Sequence, residues 1–125
     1  VKTESDIKES DVKDEICKML QKSPDVAWYT VNTTGIFKRR GYKYSVGKWF
    51  RTNQKKQNTN GMSDITGMLI TGIFFAIEVK KPGKEPTEDQ WEYINYVSDN
   101  NGLSGYATSV QEAEKIIRGF EINMK

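Results

Sequence analysis

The stretch GMSDITGMLITGIFFAIEVKK, Gly61 to Lys81, consists of two short apolar runs that open on Asp64 and close on Glu78 and Lys80. Two carboxylates and an ammonium can hold a hard divalent cation and manage charge on a phosphate. Side chains alternate along a strand, so Glu78 and Lys80 share one face with Ala76, while Phe75, Ile77 and Val79 make an apolar face opposite. A Glu and a Lys two residues apart can equally form a plain surface ion pair. Asp64 decides between these readings. If Thr71-Gly72 makes a two-residue turn, Asp64 falls opposite Val79, on the wrong side of the sheet. A three-residue loop, or a bulge at Gly67, changes the parity and brings Asp64 beside Glu78 and Lys80. The spacing predicts one of these two devices. Two converging carboxylates repel unless a cation lies between them, and a hard divalent ion with open water positions is the natural occupant. It would polarise a phosphoryl oxygen and lower the pKa of a bound water. Lys80 could orient that water or neutralise charge developing on the phosphate.

The chain contains no histidine and one cysteine, Cys17. That composition removes His-based triads and most zinc and copper sites, and leaves oxygen donors for any metal, pointing to Mg²⁺, Mn²⁺ or Ca²⁺. A lone cysteine forms no internal disulfide and fits a reducing compartment. No apolar run is long enough to span a membrane, and the acidic, polar first residues lack the apolar stretch of a signal peptide. The expectation is a single domain over residues 1–125, soluble and cytoplasmic, large enough to bury roughly two thirds of its unfolded surface. Net charge is only +2, but Val26 to Ser63 holds no Asp or Glu while carrying Lys38, Arg39, Arg40, Lys43, Lys48, Arg51, Lys55 and Lys56. Tyr42, Tyr44, Trp49 and Phe50 are interleaved with these bases. Such a segment suits a nucleic-acid backbone and its bases, or is a solvated loop whose aromatics pack down on the core.

The elements that must position these groups follow from periodicity. Val12, Ile16, Met19 and Leu20 form the stripe of a helix over about Asp6–Gln21. Glu9 projects onto that stripe, which calls for a partner or a metal, unless its place in the first turn keeps it in water near the positive end of the helix dipole. The near-repeat ESDIK, ESDVK keeps Glu4 open as the alternative, and Glu15 lies at the stripe's edge. AWYTVN (27–32) reads as a strand. Residues 34–60 read as a long basic loop with a short strand near Tyr42–Val46. The hairpin spans about Asp64–Ile70 and Phe74–Lys80. Thr87 and Gln90 have capping-box spacing before a helix that closes at Asn101-Gly102. SGYAT (104–108) is a strand, and Ser109 with Glu112 opens a last helix through Arg118. Gln90 either completes the cap to Thr87 or points inward with Ile94 and Val97. The order is α-β-β-β-α-β-α, an α/β fold with a mixed sheet between helices.

A helical Glu, then G-x-S-D, E-V-K and a helical Gln, in that order, resemble the PD-(D/E)XK nuclease superfamily. More narrowly, they resemble its small stand-alone VRR-NUC proteins found in phages. The matching parts are ESDVKDEICKML with Glu9, VNTTGIFKRRG, GMSDITG, FAIEVKKPG, TEDQWEYI and GYATSVQEAEKII, which together cover nearly the whole chain. Ser63 stands where the family motif usually has proline. The resemblance implies a restriction-endonuclease-like core. Asp64, Glu78 and the Val79 backbone carbonyl would be ligands of Mg²⁺ or Mn²⁺, with Glu9 binding or orienting at the metal. Lys80 would be the catalytic lysine, and Gln90 would position Lys80 or the scissile phosphate. It further implies a homodimeric endodeoxyribonuclease acting on branched DNA such as four-way (Holliday) junctions, phage-encoded in a bacterial host or bacterial, and leaving 5′-phosphate ends. The competing expectation is a non-catalytic nucleic-acid-binding module of the same fold.

Overall fold

The computed structural model describes residues 6–32 and 61–123, together with the backbone of two strands in between. The elements run α1 (Glu9–Lys22), β1 (Val26–Val31), β2 (Gly35–Arg39), β3 (Tyr42–Val46), β4 (Ile65–Leu69), β5 (Phe74–Val79), α2 (Glu88–Asp99), β6 (Leu103–Ala107) and α3 (Val110–Ile117). The fold is mixed α/β. Four strands form one sheet in the order β1-β4-β5-β6, antiparallel except for the parallel pair β5–β6.

Alternation along β5 divides the core. Phe75, Ile77 and Val79, all fully buried, join Ile65 and Leu69 of β4 and meet Val12, Ile16 and Leu20 of α1 and Ala113, Ile116 and Ile117 of α3. On the other face Ala76 packs against Tyr93 and Val97 of α2. The sheet is therefore enclosed by α1 and α3 on one side and by α2 on the other, the layering that alternating apolar strands and striped helices require. Cys17 lies half-buried beside the α1 side of the core, and burial pushes its thiol pKa up, aided by the nearby Asp14 charge.

The expected boundaries agree with these elements to within a few residues, with three differences of substance. First, the segment read as a basic loop over 34–60 contains a two-stranded ribbon. Its β2 was not anticipated, and β3 is the expected short strand. Register pairs Lys38 with Lys43 and Arg39 with Tyr42. Second, Gly67 sits in regular strand pairing and not in a bulge. A Cβ there would lie 2.5 Å from the Phe75 ring and 2.4 Å from the Trp28 carbonyl oxygen, so glycine makes room for Phe75 directly opposite. The irregular step in the sheet lies in β1, between Val26 and Trp28. Third, Ser109 Oγ caps α3 by accepting from Glu112 N–H, but the Glu112 carboxylate reaches back to Thr108, whose N–H and hydroxyl both donate to it.

Gly61 is required twice over. Its φ is +86°, which costs an L-residue about 1–2 kcal/mol. A Cβ would also lie 2.2 Å from the Asp89 carbonyl oxygen in the first turn of α2. Gly61→Ala is expected to lower the unfolding free energy by more than about 2 kcal/mol, read from the urea midpoint.

Candidate active site

The β4–β5 connection settles the parity. Leu69 N–H donates to the Ile73 carbonyl at 2.9 Å, and Gly72 N–H donates to the Leu69 carbonyl at 2.9 Å, closing a three-residue loop of Ile70, Thr71 and Gly72. Gly72 supplies the left-handed residue such a loop needs, at φ +88°. Ile65 then stands opposite Ile77 and Thr66 opposite Ala76. One step further, Asp64 comes to Glu78 on the α2 side of the sheet. Of the two devices expected, the loop is the one present.

Asp64 is fixed from both sides. Its carboxylate Oδ2 accepts Val79 N–H at 2.8 Å. Its carbonyl accepts Asn32 N–H at 2.6 Å, while Asn32 Nδ2 donates to the Ser63 carbonyl at 3.1 Å and to Thr66 Oγ1 at 3.0 Å. Asn32 thus holds the approach to Asp64, a role sequence reasoning missed because it depends on residues about thirty positions away. Ser63 is fully buried, and among the described residues its Oγ has no hydrogen-bond partner. Removing an unsatisfied buried hydroxyl is favourable, so Ser63→Ala is expected to raise stability by about 1 kcal/mol in chemical denaturation.

Glu78 is 3% exposed. Burial, then the hydrogen bond with the Asp64 carboxyl, then the Asp64 charge, push its pKa up to about 10. Lys80 opposes that shift as a nearby positive charge, and Glu9 adds to it. Lys80 is half-buried, and its N–H donates to the Ala107 carbonyl at 3.0 Å, tying the end of β5 to β6. Gln90 both completes the cap and points inward. Its Oε1 accepts Thr87 N–H at 2.9 Å in the capping box, and its Nε2 donates to Glu78 Oε2 at 3.3 Å.

Glu9 is exposed as the first residue of α1, so the cost of burying it on the apolar stripe does not arise. It is nonetheless the α1 carboxylate whose charge acts on Glu78. Glu15 instead lines a groove of about 490 Å³ with Asp11, Asp14, Lys18, Thr108 and Ser109. Glu4, Arg40, Lys48, Arg51, Lys55 and Lys56 lie outside the described residues. For Lys38, Arg39 and Lys43 the backbone alone is described, in the ribbon. Among the described residues no three Asp, Glu or Cys side chains form a ready metal-binding group. No helix among them is long and apolar enough to cross a membrane. No family model matches the chain, and neither a curated protein nor a solved structure matches it.

Proposed function

We propose that the protein is a metal-dependent endodeoxyribonuclease of the PD-(D/E)XK type, similar to stand-alone VRR-NUC proteins, with a restriction-endonuclease-like core. The observation that carries this reading is the opposition of Asp64 and Glu78 at one end of the β4–β5 pair, with Glu78 buried and engaged by Gln90. Two carboxyls pressed together at a buried sheet end are costly to the fold alone. An oxygen-only pair of this kind suits a hard cation, whose charge would replace the proton that burial forces onto Glu78.

Asp64, Glu78 and the Val79 carbonyl would hold Mg²⁺ or Mn²⁺, and the ion would supply Lewis acidity toward a phosphoryl oxygen and ease deprotonation of water. The chain's own groups do the rest. The Asp64–Val79 hydrogen bond keeps the first carboxylate aimed along the end of β5. Lys80, on the Glu78 face of the strand, offers a positive charge to the phosphate as negative charge grows on it. Lys38, Arg39, Arg40, Lys43, Lys48, Arg51, Lys55 and Lys56 supply a basic segment for the DNA backbone, so binding weakens steeply with salt. Branched DNA such as four-way junctions, cut by a homodimer, is the substrate and assembly that the resemblance favours.

The test is a cleavage screen over linear, flapped and four-way DNA, with and without Mn²⁺. Metal-dependent cleavage of branched DNA is the expected result. Tight binding without cleavage in Mn²⁺ would establish the non-catalytic binding module instead.

A further inference from the structure

We infer that Thr87 is a positioning residue for the carboxyl pair, acting through the orientation of the Gln90 amide. Its consequence for metal binding rests on the nuclease reading above. A carboxamide fits a site either way round, exchanging one acceptor for two donors. Here the choice is forced. The main-chain N–H of Thr87 can only donate, and it takes Gln90 Oε1 at 2.9 Å. The amide nitrogen is thereby turned to Glu78 Oε2, at 3.3 Å. Turned over, the amide would set N–H against N–H at Thr87 and lose its donor to Glu78.

The frame around this amide is closely packed. Gln90 N–H donates back to Thr87 Oγ1 at 3.3 Å, and Pro86 is buried immediately before the cap. A Cβ on Gly61 would lie 2.2 Å from the Asp89 carbonyl oxygen and 2.9 Å from the Gln90 main-chain nitrogen, so the segment leading to Asp64 packs directly on the first turn of α2. The capping box therefore both starts the helix and aims a donor at the buried carboxyl, holding Glu78 in one orientation toward Asp64.

Two substitutions separate these functions. Thr87 has φ −72°, which proline adopts, so Thr87→Pro keeps the backbone but deletes the N–H, whereas Thr87→Ala keeps it. Both lose the Oγ1 cap. In the metal-free protein, the nuclear Overhauser contact between the Gln90 Nε2 protons and the Glu78 side chain is expected in wild type and Thr87→Ala and absent in Thr87→Pro. Mn²⁺ affinity by calorimetry is expected to fall about tenfold in Thr87→Pro, relative to Thr87→Ala, as for the loss of an outer partner of a ligand. Thr87→Ser restores wild-type values in both measurements. Identical contacts and identical Mn²⁺ affinities in the Pro and Ala variants would overturn the inference. If wild type binds no Mn²⁺ while the contact difference persists, the positioning stands and the nuclease reading falls. Should Thr87→Pro fail to fold, the through-hydrogen-bond coupling from Thr87 ¹⁵N to Gln90 ¹³Cδ in wild type tests the same bond, and its absence overturns the inference.

Discussion

Asp64→Asn is expected to stay folded and bind DNA, yet cleave it roughly three orders of magnitude more slowly in Mg²⁺ or Mn²⁺, about 4 kcal/mol of lost transition-state stabilisation. The choice of asparagine follows from the local hydrogen bond. Asp64 Oδ2 accepts Val79 N–H at 2.8 Å, and an asparagine carbonyl oxygen can do the same while removing the charge. Asp64→Ala should lose the same activity and also about 1–3 kcal/mol of stability, because it strands the Val79 N–H beside a buried strand end. Single-turnover cleavage of a four-way junction, run beside urea unfolding of both variants, separates chemistry from folding. Cleavage by Asp64→Asn at the wild-type rate would remove Asp64 from the mechanism and with it the metal-dependent reading.

Glu78→Gln carries the second large effect, and it has opposite signs for stability and for activity. Burial and the Asp64 carboxyl raise the Glu78 pKa from 4.5 to about 10, so between those values the folded chain holds a proton that the unfolded chain has lost. The associated stability is fully present below about pH 4.5 and declines as pH rises toward 10. Glutamine imitates the neutral acid. It can donate to Asp64 as the protonated carboxyl does, and it can still accept from Gln90 Nε2. In chelator, the variant should therefore match wild type at pH 4.5 and melt higher at pH 8, by about 3–6 °C for each kcal/mol recovered. Adding Mn²⁺ should raise the wild-type midpoint and leave the variant unmoved, since the ion binds the deprotonated carboxylate and its affinity grows with pH. Activity in the variant should be lost. Parallel melting curves for the two proteins across this pH range would show that Glu78 is not held neutral by its surroundings.

The two predictions draw on different kinds of information. That Glu78 and Lys80 share a face, with Phe75, Ile77 and Val79 on the other, was legible because strand alternation is a local property of the backbone. The start of α2 at Thr87 was legible for the same reason, since an N-cap and its partner three residues on satisfy helix-end donors within one turn. The basic segment was less so. Its β2 was overlooked because GIFKR (35–39) sets its two apolar residues, Ile36 and Phe37, side by side, with no alternation to announce a strand.

Within the site, sequence could state the question of Asp64 but not close it. Either a three-residue loop or a bulge restores the parity, and the choice depends on where positive φ is accommodated and where a side chain needs space. Gly72 took the first role, and Gly67 was occupied in making room for Phe75. Between Glu9 and Glu15 helical phase says which way a residue points but not what lies across from it, and of the two only Glu9 adds its charge to those of Asp64 and Lys80 at Glu78.

What the sequence determined by itself is the material of the site: oxygen donors and one ammonium, no imidazole, on a hairpin apolar on its core-facing side. Those are matters of residue type and of periods two and 3.6, which act over a few residues. Only the tertiary structure decided that Asn32 anchors the approach to Asp64, that one Gln90 amide serves cap and carboxyl together, and that burial and the Asp64 carboxyl push the Glu78 pKa up. Each depends on groups brought together from distant parts of the chain, because desolvation and hydrogen-bond geometry are set by what packs around an atom, whatever its neighbours in sequence.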